Sequence, residues 1–240
     1  MSLLRIESLT ARHGLLEAVK DISFELGQGE VIALVGANGA GKSTLLRAIA
    51  GAHRPASGRI KLDDVDITGS SAHDRVRMGI ALVPEGRRLF TNLTVEENLQ
   101  VAESRSRGGR WNVESALDAL PLLKPLRKRR AGMLSGGEQQ ATAICRALVT
   151  NPRVLLIDEL SLGLAPVAVD LVYETLRVVI EDGMTLLLVD QDFTRAASLA
   201  DRVVCMLEGR SVLEGKSSEL SREQITEAFF GLAGRGAGQP

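Results

Sequence analysis

A glycine-rich segment that ends in lysine, serine and threonine has the clearest chemistry in the sequence. It follows the apolar run Val31–Val35 and consists of Gly36, Ala37, Asn38, Gly39, Ala40, Gly41, Lys42, Ser43 and Thr44. This G-x-x-x-x-G-K-S spacing is typical of a P-loop, in which backbone N–H groups and a helix start surround a phosphate. The lysine would reach the β- and γ-phosphates and the serine hydroxyl would ligate Mg²⁺. The segment predicts nucleotide binding, and a glycine-rich turn without a ligand is the alternative.

Two acidic residues follow a second apolar run. Asp158 and Glu159 come directly after Leu155, Leu156 and Ile157. Since α/β sheets bind ligands at the carboxyl ends of their strands, both side chains are expected near the P-loop. Asp158 would hold Mg²⁺ through a water molecule, and Glu159 would accept a proton from the water that attacks the γ-phosphorus. An exposed surface pair is the alternative.

A third segment combines a helix cap with two glycines. It consists of Leu134, Ser135, Gly136, Gly137, Glu138, Gln139 and Gln140. Ser135 and Glu138 have the spacing of a capping box, and the glycines leave N–H groups accessible at the start of a helix predicted over 138–149. Anion binding and simple helix capping both fit these residues.

The segments between these motifs alternate between strand and helix patterns, which predicts an α/β fold with a largely parallel sheet. Near-alternating apolar residues around 4–9 and 22–26 predict half-exposed strands, and a strand over 58–62 is followed by a turn at Asp63 and Asp64. Residues 85–149 are helical in pattern, with a capping box at Thr94. Further strands are predicted over 79–83, 154–158, 185–189, 203–207 and 211–213. Helices are predicted over 42–50, 112–120, 166–182 and 193–200, and another is capped at Ser221.

Composition restricts the partners and the location. The 240 residues carry a formal charge of −1, so no general attraction to nucleic acid or anionic membranes is expected. The basic residues Lys124, Arg127, Lys128, Arg129 and Arg130 favour a solvated face over a phospholipid or nucleic-acid contact, because no aromatic residues are interleaved. No apolar run approaches the roughly 18 residues of a membrane span, and the first residues do not resemble a signal peptide, so a cytosolic location is expected.

The cysteines and histidines predict no metal site. Cys145 and Cys205 lie far apart within apolar sequence, which favours reduced core thiols over a disulfide. His13, His53 and His73 lack metal-ligand spacing, so zinc is not expected.

The order of the three motifs resembles the nucleotide-binding domains of ATP-binding cassette proteins, from Leu3 to about Gly231. The resemblance implies one domain: a P-loop core with an antiparallel β subdomain (1–84 and 150–230), an inserted helical subdomain (85–149) and a loose tail (231–240). It also implies ATP and Mg²⁺ as cofactors. In that family two copies face each other head to tail, so Ser135, Gly136 and Gly137 would contact the nucleotide held by a partner, and a monomer would be nearly inactive.

Further segments narrow the resemblance. Residues 83–90, 94–99 and 161–166 and the region of Gln191 are similar to the ATPase subunits of high-affinity branched-chain amino acid importers, in particular to the second of their two ATPases. The resemblance implies a heterodimer with the sister ATPase, with a self-dimer as the alternative. It further implies two membrane-embedded permeases, an extracytoplasmic solute-binding protein and a peripheral position on the cytoplasmic face of the inner membrane. Urea and amide importers share much of the pattern.

Four positions depart from the general cassette pattern. His13 stands where an aromatic residue, usually tyrosine, stacks on adenine, and a smaller ring predicts weaker base binding. Glu85 replaces the glutamine near Mg²⁺ and the attacking water, and Gln191 replaces the histidine that contacts the γ-phosphate; both are typical of the importer branch. Leu160 replaces the proline after the catalytic glutamate, which predicts a less rigid turn at Glu159.

The leading functional hypothesis is an ATPase that drives import, with Glu159 as base and with Lys42, Ser43 and Asp158 as the phosphate and metal ligands. A cassette that dimerises on ATP but hydrolyses it slowly is a second hypothesis, suggested by the departures above. A cassette protein of repair or translation is disfavoured, because it would need a second cassette or a long insert and neither fits in 240 residues. A small-molecule kinase is the least favoured alternative, because it has no evident use for the Ser135 segment.

Overall fold

The computed structural model describes residues 2–232. Ten strands are present in this part of the chain: β1 (Ser2–His13), β2 (Leu16–Gly27), β3 (Val31–Val35), β4 (Ser57–Leu62), β5 (Val65–Asp66), β6 (Ile80–Val83), β7 (Val154–Ile157), β8 (Thr185–Val189), β9 (Arg202–Leu207) and β10 (Arg210–Lys216). Eight α-helices accompany them: α1 (Lys42–Ile49), α2 (Ala72–Met78), α3 (Val95–Glu103), α4 (Val113–Ala119), α5 (Gly136–Leu148), α6 (Pro166–Glu181), α7 (Phe193–Leu199) and α8 (Arg222–Phe230).

The large sheet has the strand order β10-β9-β3-β8-β7-β6. Its strands pair in parallel except for β10, which forms an antiparallel edge hairpin with β9. All residues of β3, β7 and β8 are buried, as expected for parallel strands covered on both faces. The predicted α/β fold with a mostly parallel sheet is confirmed.

The second sheet is antiparallel, in the order β2-β1-β4-β5. Its strands alternate between buried and exposed residues, as the sequence pattern predicts, and Leu4, Ile6 and Leu9 lie in the core. The predicted turn after β4 is also present, since Asp63 and Asp64 both adopt positive φ angles.

The chain between β6 and β7 forms helices, as predicted for residues 85–149. Two short 3₁₀ segments, Pro121–Leu126 and Ala131–Met133, join α4 to α5. The capping box at Thr94 is formed at the start of α3. α2 was not predicted, and α5 begins at Gly136 instead of 138, because Ser135 is the N-cap and the glycines take part in the first turn. The division of the chain at 84/85 and 149/150 stays a prediction.

Two apolar cores lie on opposite faces of the large sheet. Alternate residues of β3 enter different cores: Val31 and Ala33 lie with the helices of residues 95–149, and Ile32 and Leu34 lie with α1 and the antiparallel sheet. Cys145 and Cys205 are buried free thiols, and burial raises their pKa to about 12 and about 11. Both cysteines are therefore inert core residues.

Within residues 2–232, no helix combines the length and apolar character needed to cross a bilayer. Gly231 ends α8 with a left-handed φ, so the first residue of the predicted loose tail still belongs to the helix cap. The rest of that tail, from residue 233 onward, lies outside the described residues.

Candidate nucleotide-binding site

The P-loop connects β3 to α1 at the carboxyl end of the large sheet. Two of its glycines are required by contacts as well as by φ. A Cβ atom on Gly41, whose φ is 101°, would lie 2.0 Å from the Ala18 carbonyl oxygen, and one on Gly36 would lie 2.2 Å from the Met206 carbonyl oxygen. The loop therefore packs against β2 and β9 so closely that side chains are excluded at these positions.

Lys42 is the first residue of α1, and its side chain turns back into the loop. Its Nζ donates hydrogen bonds to the carbonyl oxygens of Gly36, at 2.6 Å, and Ala37, at 2.9 Å. Burial lowers the pKa of Lys42, while the nearby carboxylates of Glu159 and Asp158 oppose this shift. The loop thus holds a buried cation among its own backbone groups, and an anionic phosphate would be a stronger partner than the carbonyls.

Asp158 follows β7 and meets the P-loop, as predicted. The Ser43 hydroxyl donates a hydrogen bond of 2.7 Å to Asp158 Oδ1, whereas the buried Oδ2 has no hydrogen-bond partner. Burial raises the pKa of Asp158, and the Arg47 guanidinium, 4.0 Å from Oδ2, opposes that shift. Mg²⁺ prefers oxygen ligands, and the Ser43 hydroxyl and the Asp158 oxygen that accepts no hydrogen bond supply two of them. Serine and aspartate side chains of this site therefore fit that ion.

Glu159 lies one residue further along, where the backbone changes direction. Its φ is 54°, a left-handed conformation that a glutamate adopts only when its surroundings impose it. The side chain is half-buried, and Gln191 Nε2 donates a hydrogen bond of 3.1 Å to Glu159 Oε2. Burial raises the pKa of Glu159. Glu159, the predicted base, and Gln191, the predicted contact of the γ-phosphate, are therefore neighbours.

His13 lies at the end of β1 beside the start of α1. Its Nε2 is 3.1 Å from the Thr44 hydroxyl oxygen, and its ring is tilted by 47° against the ring of His53, with 4.7 Å between the centroids. A cavity of about 270 Å³ joins His13 to the P-loop and Glu159. It is lined by His13, Leu16, Ala18, Asn38, Gly39, Gly41, Lys42, Ser43, Thr44 and Glu159.

Four predicted site residues of the P-loop region lie outside the lining of that cavity: Gly36, Ala37, Ala40 and Asp158. Ala40 is buried, and its carbonyl accepts a hydrogen bond from the Gly209 N–H, which ties the loop to the β9–β10 turn. The P-loop is thus held between the acidic pair, through the bond from Ser43 to Asp158, and the β9–β10 turn. A larger groove of about 700 Å³, lined by Glu25, Glu30, Asp201 and Lys216 among others, contains none of the predicted site residues.

Glu85 follows β6, the strand next to β7. Its carboxylate lies 4.0 Å from the Arg47 guanidinium, so one arginine faces both Glu85 and Asp158. The turn after Glu85 is attached to α5, because Arg146 donates hydrogen bonds to the carbonyl oxygens of Arg87 and Arg88 at 2.9 and 2.7 Å. Arg47 and Arg146 could not be predicted as site residues, since a lone arginine on a helix carries no motif.

Ser135, Gly136 and Gly137 lie at the start of α5, away from the P-loop cavity of their own chain. The capping box is formed, with the Ser135 N–H donating to Glu138 Oε2 at 2.7 Å. The two glycines pack against the segment that leads into α6: a Cβ on Gly136 would lie 2.8 Å from Leu164 Cδ2. The structure therefore does not bring this segment together with the other predicted nucleotide ligands.

Asp190 is a buried polar residue that the sequence analysis missed. It comes directly after the apolar strand β8, as Asp158 comes after β7, and its side chain is completely buried. The rule that found Asp158, an acid at the carboxyl end of a buried strand, would have found Asp190 too.

Comparisons with known proteins agree with this geometry. The family model described as "ABC transporter" matches residues 19–161. The chain is 39% identical to the high-affinity branched-chain amino acid transport ATP-binding protein BraG of Pseudomonas aeruginosa, over 95% of this chain and 100% of that protein. It is 36% identical to a probable branched-chain amino acid transport ATP-binding protein, LivF, of Archaeoglobus fulgidus, over 96% and 99% of the two chains.

A solved structure is similar over almost the whole length. The crystal structure of an ATP-binding cassette of an ABC transporter in its ADP conformation superimposes with a TM-score of 0.80 at 28% identity, covering 95% of this chain and 94% of the other. These matches confirm the predicted family and the prediction of an ATPase that energises membrane transport. The chain belongs to the ABC transporter family, as an ATPase of that family.

Proposed function

We propose that this chain binds and hydrolyses ATP to energise an importer of branched-chain amino acids. The observation that carries the proposal is the convergence of Lys42, Ser43, Asp158 and Glu159 at one end of the large sheet. The choice of solute is supported by the transport functions of the two relatives described above and by the resemblance of residues 83–90 and 161–166 to that branch.

Each residue of this set has a role that its position supports. The N–H groups of residues 36–44 and the Lys42 ammonium bind the phosphates, and Ser43 and Asp158 hold Mg²⁺. When bound, that ion neutralises charge on the phosphate oxygens. Glu159 accepts the proton of the attacking water, and its raised pKa makes it a stronger base than an exposed carboxylate. Gln191 orients that carboxylate and contacts the γ-phosphate, and Glu85 contacts the attacking water.

This chain supplies the contact with adenine, whereas a partner cassette supplies the second half of the site. His13 stacks on the adenine ring, since it lines the cavity next to the P-loop. Ser135, Gly136 and Gly137 contact the nucleotide of a partner cassette, because they do not line the cavity of their own chain. ATP then lies between two cassettes, this chain and a sister ATPase or a second copy of itself, and joins them.

The remaining partners follow from the same proposal. The cassette pair binds two integral-membrane permeases on the cytoplasmic face of the inner membrane, and an extracytoplasmic binding protein delivers the solute to the permeases. A role in urea or amide import differs only in the solute. Transport assays with reconstituted permeases and labelled leucine or urea would distinguish the two.

The assignment of Glu159 is tested by Glu159→Gln. The amide cannot accept the proton, so we expect hydrolysis to fall by about 100-fold or more, within the range of a lost catalytic base, while ATP still binds. Glu181→Gln is the matched control, because it makes the same change on the exposed end of α6. Wild-type turnover in the Glu159 variant would contradict the assignment.

A slow ATP-dependent dimerisation switch is the competing function. It predicts that turnover stays low when the sister ATPase and the permeases are added, whereas an importer ATPase is stimulated by assembly. Steady-state phosphate release measured before and after assembly separates the two.

A further inference from the structure

The turn that carries Glu159 is joined to the segment after β8 by three consecutive hydrogen bonds. Each bond links one of residues 159–161 to one of residues 189–191, and we call the three bonds together the 159–190 ladder. Its members are Gln191 Nε2 to Glu159 Oε2 at 3.1 Å, Leu160 N–H to the Val189 carbonyl oxygen at 3.3 Å, and Ser161 Oγ to Asp190 Oδ1 at 2.6 Å.

Asp190 is the buried acid of the ladder, with none of its surface exposed. Its carboxylate accepts two further hydrogen bonds, from the Tyr173 hydroxyl at 3.1 Å and from the Asp192 N–H at 3.0 Å. Burying a carboxylate is unfavourable unless donors surround it, and three donors do so here. An apolar residue after the apolar strand β8 would be less costly to bury, so stability alone does not explain this acid.

The ladder holds a strained residue in place. Glu159 has a φ of 54°, and such a conformation costs on the order of 1–3 kcal/mol, so it persists only when its surroundings determine it. One ladder bond comes from the Leu160 N–H, which a proline at this position would not have. Leu160 is also buried, so both its side chain and its backbone attach the turn to the core.

We infer that Asp190 is a positioning residue for hydrolysis. It fixes Ser161, and through Ser161 the turn that aims Glu159 at the attacking water, while its neighbour Gln191 holds the Glu159 carboxylate itself. Asp190 does not line the cavity, and its carboxylate bonds to Ser161, Tyr173 and Asp192 and to no P-loop residue, so it acts through the turn. The inference rests on the proposed role of Glu159 as the base.

The test compares variants that break different bonds to the same carboxylate. Ser161→Ala removes the bond between Asp190 and the turn, and Asp190→Ala removes all three bonds. Tyr173→Phe is the matched control, because it removes one hydrogen bond to Asp190 on the side away from the turn. Asp190→Asn is the conservative rescue, since its Oδ1 can still accept from Ser161 and its amide can donate to Tyr173.

ATP hydrolysis is measured under single-turnover conditions with the full-length chain in excess, so that slow catalysis suffices. We expect Ser161→Ala and Asp190→Ala to lower the hydrolysis rate by about 10- to 100-fold, because small displacements of a catalytic group have costs of that size, with no change in ATP affinity. Tyr173→Phe and Asp190→Asn retain most of the rate. Hydrogen exchange of the peptide containing Leu160 increases in the first two variants only.

A double variant of Ser161→Ala and Glu159→Gln distinguishes a failure of the positioning role from a failure of the proposed function. If Glu159 is the base and Asp190 acts through it, Ser161→Ala causes no further loss of hydrolysis in the Glu159→Gln background. The positioning role is overturned if Ser161→Ala hydrolyses ATP at the wild-type rate, if Tyr173→Phe loses as much activity as Ser161→Ala, or if the losses are additive. Wild-type activity of Glu159→Gln itself would instead overturn the proposed function.

Discussion

Arg75 offers a direct test of how the P-loop helix is held in the fold. It lies on α2, is only 1% exposed, and reaches the carboxyl end of α1. Its NH1 group donates hydrogen bonds to the carbonyl oxygens of Ala48, at 2.6 Å, and Ile49, at 2.8 Å, and its NH2 group donates to the Thr68 carbonyl oxygen at 2.8 Å. A cation thus caps the negative end of the helix whose other end is predicted to bind phosphate.

The size of the effect follows from these contacts. Arg75→Met keeps most of the buried apolar volume but removes all three hydrogen bonds, each worth about 1.5–3 kcal/mol when a charged group is involved. The variant no longer buries a guanidinium, and the Ala48 carbonyl also accepts the Gly51 N–H, so the net cost lies below the sum. We expect a loss of about 3 kcal/mol in the free energy of unfolding. For a chain of this size that corresponds to a decrease in Tm of about 6–12 °C.

The assay is urea-induced and thermal unfolding of the full-length chain, with ATP binding measured on the same samples. Arg77→Met is the control, since Arg77 lies on the exposed side of the same helix. The control should differ little from the wild type in both measurements. If Arg75→Met and Arg77→Met unfold at the same urea concentration, the capping argument is wrong.

Three further predictions concern the nucleotide site. Gly41→Ala should abolish ATP binding, because its Cβ would lie 2.0 Å from a carbonyl oxygen. Gly39→Ala should weaken binding less, because its Cβ meets no atom within 4 Å, and equal losses of affinity in calorimetric titrations would refute this. His13→Tyr should tighten ATP binding by about 2- to 10-fold through the larger ring, and an unchanged Kd would argue against base stacking. Asp158→Asn should stabilise the nucleotide-free chain near neutral pH, because burial raises the pKa of Asp158 and ionisation in the fold is therefore unfavourable. That gain should shrink as the pH falls through the raised pKa of the folded carboxyl, and it should vanish only well below the unfolded pKa of about 3.9, where the carboxyl is protonated in both the folded and the unfolded chain. Urea unfolding at about pH 3 and at about pH 7.5 measures it, and a gain that does not depend on pH would contradict the reasoning.

Much of the fold could be predicted from the sequence because its signals are local. Continuous apolar runs mark the buried strands β3, β7 and β8, and the box at Thr94 marks the start of α3. α2 was missed because only one of its residues, Arg75, is buried, so it has no apolar periodicity to detect. Its place is determined by a hydrogen-bonded cation, which is a tertiary contact.

The sequence by itself determined the residue types of the proposed site: a glycine loop that ends in Lys42 and Ser43, predicted to bind phosphate and Mg²⁺, and Asp158 and Glu159 after a buried strand. These depend on residue types and short spacings, which local backbone preferences turn into a loop, a helix start and a strand end. Only the tertiary structure decided which side chains meet across the sheet, such as Ser43 with Asp158 and Gln191 with Glu159. The physical reason is that strand order brings residues 115 and 32 positions apart within hydrogen-bond distance, and the turn at Glu159 is held by Asp190 through contacts that no local pattern records.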